Sequence, residues 1–161
     1  MREMNVAGRD DESSVFVYGS LMFDEVVECL TGKLFQTEPA RLADHARYAV
    51  RQEGRVAKGP AITNEPGSEV AGRLLLDVDS DTLRILDRFE CGDVDVSRYE
   101  RVTVSVTLHS GKMMRAETYR AVAEFRPFLS GAWSEHDFKA QHLRYYVEEW
   151  IPRLRKEWTL A

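Results

Sequence analysis

The stretch from Glu69 to Val106, EVAGRLLLDVDSDTLRILDRFECGDVDVSRYERVTVSV, changes its apolar period twice, so the chain must combine strands with helix. Val70, Leu74, Leu76 and Val78 keep a period of two, Leu83, Leu86 and Phe89 recur at helical spacing, and Val102, Val104 and Val106 return to two. The segment reads as a strand, a short helix, a loop and another strand. Ser80 is the N-cap candidate of the helix, and Gly92 suits the residue just past its end.

Glu90 stands four residues after Leu86 and seven after Leu83, which puts a carboxylate on the apolar stripe of its own helix, at the C-terminal end. Burial and the negative end of the helix dipole both disfavour the ionised form and push its pKa upward. A general acid/base requires that poise. The competing expectation is a Glu90 that points to solvent or pairs with Arg88, Arg98 or Arg101.

Upstream, a strand of Val15, Phe16 and Val17 runs into Tyr18-Gly19-Ser20-Leu21 and then into a helix-like stretch from Phe23 to Leu30. A Gly-containing bend between strand and helix leaves backbone N–H groups free to face a carboxylate or a developing oxyanion. The same tetrapeptide also suits an ordinary turn.

Elsewhere, residues 1–12 are polar and aperiodic and are expected to form a loose leader ahead of one domain spanning 13–161. Thr37 to Ala49 is compatible with a strand and turn, and Arg51 to Pro60 reads as a loop. Arg101 to Leu108 and Met113 to Val122 are expected to form a hairpin through His109–Lys112. Residues 124–134 form a connector, and Glu135 to about Glu157 reads as a single helix with Ser134 and Asp137 as an imperfect capping box. Its Tyr146, Trp150, Leu154 and Trp158 stripe suits core packing or a homodimer surface.

With 161 residues the chain can bury a real core. Its 27 acidic and 22 basic residues, a formal charge of −5, argue against a nucleic-acid footprint. No apolar run approaches a membrane span and no signal-peptide pattern opens the chain, which points to the cytoplasm and to no membrane role. Cys29 and Cys91 are too few for a disulfide framework and lack metal-ligand spacing; Cys91 also lacks a His partner that would make it a nucleophile. His136 and His142 are six apart, not four, so solvated or packed histidines are expected and not a metal site.

Taken in order, the YGSL turn, Gly59-Pro60-Ala61-Ile62, Val70-Ala71-Gly72, Leu86-Asp87-Arg88-Phe89-Glu90 and Tyr99-Glu100-Arg101 resemble the γ-glutamylcyclotransferase-like (AIG2-like) family over about residues 15–122. The resemblance implies an α+β fold, a small mixed β-barrel with flanking helices, in which the YGSL loop and the helix-terminal Glu meet at one pocket. It implies an enzyme that cyclises a small-molecule γ-glutamyl substrate to 5-oxoproline and releases an amine. Glu90 takes the catalytic position, and Tyr18, Gly19, Ser20 and Leu21 hold the glutamyl moiety. Tyr99, Arg101 and Tyr119 are further site candidates; the alternative is that these tyrosines cap the barrel with wet hydroxyls.

The residue chemistry fits that reaction. A carboxylate near neutrality can take a proton from the α-amine and return one to the leaving amine, and the amides around Gly19 to Leu21 can meet the oxyanion. No metal or cofactor is required. One departure stands out: the eight residues from Cys91 to Arg98 separate Glu90 from Tyr99, longer than the family's usual spacing, and add Asp93 and Asp95. A non-catalytic binding or regulatory protein of the same fold is the alternative reading, and a hydrolase or acyltransferase of that fold a third.

Overall fold

The computed structural model describes residues 12–52, 55–92 and 98–160. Five strands, β1 (Glu12–Val17), β2 (Thr37–Gln52), β3 (Arg55–Asp79), β4 (Tyr99–Leu108) and β5 (Met113–Ala121), close into a barrel in the order β1-β3-β2-β4-β5. All neighbours are antiparallel except β1 and β5, which run parallel and pair at Val15 and Glu117. The mixed barrel with flanking helices expected from the sequence is therefore the observed architecture. Helix α1 (Asp24–Thr31) follows β1, α2 (Ser80–Cys91) follows β3, and α3 (Glu135–Gln141), α4 (Leu143–Tyr145) and α5 (Ile151–Leu160) end the chain.

Strand β1 is short but buried on both faces, which is why Val15 to Tyr18 is a continuous apolar run. Phe16 and Tyr18 face a core built from all five strands, with Leu42, Ile62, Leu74, Val106 and Ala116. Val15 and Val17 face the helices, against Val26, Leu30, Leu86 and Phe138. The apolar spacing of α2 delivers Leu86, fully buried, into that second core, and this sets the helix across the barrel.

Three local expectations change. Arg51 to Pro60 is strand and not loop: Arg51 pairs with Val56 and Gln52 with Arg55, so partners supplied by the neighbouring strand override a polar composition. The N-cap of α2 is Asp79, whose Oδ1 accepts from Thr82 N–H at 2.7 Å, while Ser80 is the first helical residue. A carboxylate serves that position as well as a hydroxyl and adds favourable charge at the helix N-terminus. Lys33, 2.6 Å from the other oxygen, helps hold the Asp79 carboxyl well below the usual carboxylate range.

The third change is at the C-terminus, where the expected single helix is broken. Ser134 Oγ accepts from Asp137 N–H, as half of a capping box would, but the helix stops at His142. After α4 comes a π-helical turn, Tyr146–Trp150, in which Ile151 N–H bonds back five residues to Tyr146 O. Pro152 explains it, since proline cannot donate to the carbonyl four residues back and its ring crowds that carbonyl, so the helix rewinds by one residue before it. The hairpin of β4 and β5 and the cap role of Gly92 agree with expectation. Most of the leader, residues 1–11, and the Asp93 and Asp95 of the Cys91–Arg98 extension lie outside the described residues.

Closure of the barrel requires β3 to approach β1 closely at Gly72, where a Cβ would stand 2.4 Å from Val17 O and 2.8 Å from the Phe16 ring. The neighbours are backbone and a fully buried ring, so neither yields cheaply. Gly72→Ala is expected to lower stability by ~1–3 kcal/mol in chemical denaturation, on the scale of overpacked cores; unaltered stability would mean that the strands separate there freely.

Candidate functional site

At the end of β1 the chain turns through Gly19 into a 3₁₀ turn, Ser20–Met22, whose first bond is Met22 N–H to Gly19 O at 2.9 Å. The amides of Ser20 and Leu21 open that turn and have no partner within it. Gly19 is required by contact: a Cβ there would lie 2.7 Å from Pro60 Cδ and 2.9 Å from Pro60 Cγ. The Gly59-Pro60 pair of β3 thus seats the turn, and both segments line a single cavity of about 380 Å³.

Glu90 lines the same cavity from the last turn of α2. Its carboxylate has no hydrogen bond or ion pair among the described residues. Each arginine that the sequence offered as a partner is engaged elsewhere. Arg88 lies over the Trp158 ring at 4.8 Å, Arg98 over the Phe125 ring at 5.3 Å, and Arg101 Nε is 2.9 Å from Asp87 Oδ1. With no compensating cation, burial pushes the Glu90 carboxyl up to about 7.

The tyrosines are placed by protein partners. Tyr18 donates its hydroxyl to Tyr119 O at 2.6 Å, Tyr99 donates to Pro60 O at 3.0 Å, and Tyr119 donates to Asp87 Oδ1 at 2.7 Å. All three line the cavity, each hydroxyl already donated but still able to accept. Burial first, and then the charge of Glu90, raises the pKa of Tyr99, so it stays protonated. Arg101 stays outside the cavity lining. It bridges Asp87 of α2 to Glu117 of β5, at 2.9 and 2.7 Å, and so ties the helix that carries Glu90 to the barrel.

The C-terminal stripe contributes what sequence reading assigned to packing or a dimer. Tyr146 and Trp150, with ring centroids 4.8 Å apart, form a wall of the cavity together with Phe89, 5.4 Å from Trp150. Tyr145, Arg153 and Arg98 line it as well. The sequence signal for Tyr145, Tyr146, Trp150 and Arg153 was Pro152: a proline inside a helical pattern marks a register change, and π-helical turns gather at functional sites. Leu154 and Trp158 do not line the cavity. Cys91 is poorly suited to reactivity, its thiol pushed up to about 11 by burial and then by the charges of Asp87 and Glu90. Among the described residues no cluster of His, Cys, Asp and Glu could hold a metal, and no helix is long and apolar enough to cross a membrane.

The family profile described as "Gamma-glutamyl cyclotransferase, AIG2-like" matches residues 15–135. AIG2-like protein D of Arabidopsis thaliana is 37% identical over 135 residues, 84% of this chain and 84% of its own. An Arabidopsis thaliana protein solved in solution superposes with a TM-score of 0.65 at 29% identity, covering 86% of this chain and 87% of its own. A solved γ-glutamyl cyclotransferase has the same fold, with a TM-score of 0.57 at 21% identity over 69% of this chain and 67% of its own.

A raised carboxyl pKa has a sign in stability. The folded state holds a proton that the unfolded chain releases, so this stabilisation is complete below the ordinary 4.5 and is lost as pH rises through about 7. Relative to Glu90→Gln, the wild type is expected to lose about 3 kcal/mol of unfolding free energy between about pH 4 and pH 8. Chemical denaturation of both proteins at the two pH values measures it; a difference that does not change with pH would place Glu90 in water.

Proposed function

The chain belongs to the γ-glutamyl cyclotransferase, AIG2-like family, and from that premise we propose that it cyclises the γ-glutamyl group of a small amine or dipeptide to 5-oxoproline, with Glu90 as general acid and base. What carries this reading is a carboxylate with no hydrogen bond or ion pair among the described residues, pushed up to about 7 by burial, on the wall of a cavity shared with the Tyr18–Leu21 turn. A protein that only bound its ligand would have little use for such a group.

In the proposed reaction the glutamyl carboxylate lies against the amides of the turn, and the α-amine is brought over the γ-carbonyl. Once the ammonium has given one proton to solvent, the amine nitrogen bonds to the γ-carbon and the carbonyl oxygen takes the negative charge. The nitrogen's next proton passes to Glu90 and from Glu90 to the nitrogen of the leaving amine. The original γ C–N bond then breaks, giving the lactam and a free amine. Because nucleophile and electrophile belong to one molecule, holding it folded back on itself supplies much of the rate, a task that falls in this reading to the cavity walls. Glu90 serves both transfers because its pKa sits between ionised and neutral at the working pH.

Glu90→Gln keeps the volume and removes the proton transfer, so 5-oxoproline formation, read by mass spectrometry across a panel of γ-glutamyl substrates, is expected to fall ~100-fold or more while the fold persists. Near-normal turnover would assign the base elsewhere, and no turnover of any substrate by the wild type would favour the binding protein.

The acidic limb of kcat/KM for the free enzyme is expected near pH 7, where Glu90 loses its proton. Substrates of differing amine pKa separate the two titrations: a limb that follows the substrate belongs to the amine, and one that stays fixed belongs to Glu90. A fixed limb near 4 would mean a solvated carboxylate.

A further inference from the structure

Arg47 of β2 stands opposite Ile62 of β3 and is half-buried. Its Nη1 donates to Tyr18 O at 2.7 Å, the carbonyl at which β1 gives way to the Gly19 turn. Its guanidinium also lies over the Trp133 ring, 5.1 Å from the centroid. Trp133 is buried against Phe138, and its segment is tied to β2 by Ala49 N–H to Gly131 O and Ser130 N–H to Ala49 O, both 2.9 Å. The guanidinium is therefore fixed between a backbone carbonyl and a packed ring, an arrangement that uses its planarity. Among the described residues Arg47 forms no ion pair. Burial lowers its pKa, the charge of Glu135 opposes that, and it remains a cation at any working pH. It does not line the Glu90 cavity but a separate hollow of about 370 Å³, with Trp133, Ser68 and Glu69, so its contact with the site is through the turn's backbone.

A planar trans peptide carries its C=O and N–H on opposite sides. The Tyr18–Gly19 peptide is trans, so holding Tyr18 O on Arg47 turns the Gly19 N–H away from Arg47. That N–H is not spent in the 3₁₀ turn, whose first bond is made by Met22. The residues of the turn and the Gly59-Pro60 pair that seats it are all neutral, so an anion on these amides finds no counter-charge in them. A desolvated carboxylate is costly without one. Arg47 stands one peptide away, and a cation on the carbonyl polarises the peptide and strengthens its N–H as a donor. Resting on the proposed reaction, we infer that Arg47 is a positioning residue, which aims and polarises the Gly19 amide so that the Tyr18–Leu21 turn holds the glutamyl carboxylate. In this role it touches no substrate atom, and its effect falls on binding.

Arg47→Met keeps an unbranched stem on Trp133 and removes both the cation and the donor. With a γ-glutamyl substrate that the wild type turns over, KM is expected to rise on the order of tenfold, the scale of one hydrogen bond to a charged group, with kcat within about twofold. The fixed acidic limb of the pH profile is expected to stay in place, since burial alone causes the Glu90 shift. Arg47→Lys keeps a cation and is expected to fall between the two. An unchanged KM with only a lower melting temperature would make Arg47 a structural residue and overturn the inference, as would a KM for Arg47→Lys no better than for Arg47→Met. If Arg47→Met does not fold, Arg47→Lys against the wild type carries the test, a raised KM supporting the inference and an equal one overturning it. If the wild type forms 5-oxoproline from no substrate, the cyclisation has failed, and the amide decides this inference separately. In a ¹⁵N-resolved NMR titration with free glutamate, the Gly19 amide is expected to shift in the wild type, with binding on the order of tenfold weaker in Arg47→Met. A Gly19 amide that glutamate does not move, or equal binding by the two proteins, overturns it.

Discussion

The seam between β1 and β5 is where the barrel closes, and the cavity depends on it. The two strands run parallel and meet in register only at Val15 and Glu117. Two buried hydroxyls continue the contact where the ladder does not: Thr118 Oγ1 donates to Phe16 O at 2.8 Å, and Tyr18 Oη donates to Tyr119 O at 2.6 Å. A buried carbonyl left unpaired costs about 1–3 kcal/mol, so these side chains substitute for missing backbone donors. Both bonds reach across more than a hundred residues of chain and fix the start of the Tyr18–Leu21 turn against β5. From β5, Tyr119 reaches Asp87 of α2, and Arg101 adds a second tie to the same carboxylate. The turn and the helix that carries Glu90 are thereby referred to one seam, although they meet only through the cavity.

What could be read from the sequence was local. The double change of period around α2 placed Glu90 on an apolar stripe near a helix end, and the alternation of Val102, Val104 and Val106 marked the hairpin; each depends on residues within a few positions of one another. The extent of β2 and β3 was not legible, because Arg51 and Gln52 are strand only by virtue of Val56 and Arg55 opposite them. Asp79 displaced Ser80 as a cap for a related reason: its strength comes partly from Lys33, more than forty residues away. The cavity wall from Tyr146 and Trp150 was hidden by its own composition. An aromatic stripe at helical spacing suits core, dimer surface and binding wall alike, and only the packing of the last helices against α2 separates them.

Charge placement around Glu90 works by diversion. Four arginines lie within eleven residues of it in sequence, and a guanidinium within ~4–6 Å would draw a carboxyl pKa down by ~1–3. Each is held elsewhere: Arg84 on Asp81, Arg88 on Trp158, Arg98 on Phe125, Arg101 between Asp87 and Glu117. Aromatic rings act here in two separate places. Phe89 and Trp150 pack together on the cavity wall beside the carboxylate, while Trp158 and Phe125, outside the cavity lining, hold two of its natural counter-ions as cation–π partners.

The wall rings tie basicity to shape. Trp150 packs on Phe89, the residue next to Glu90, and Tyr146 packs on Trp150, so the surface facing the outer part of the cavity also limits solvent around the carboxylate. A change at Trp150 that opened the wall to water would lower the Glu90 pKa toward that of a free carboxylate as well as alter what the cavity can hold. For a catalyst of the proposed kind, leaving-group selectivity and proton transfer would then shift together, and substitutions at this wall would move the acidic limb of the pH profile as well as KM. Arg153 and Arg98 stand apart from that coupling. They edge the cavity beyond the rings, and neither figures among the causes of the Glu90 shift, which is burial alone.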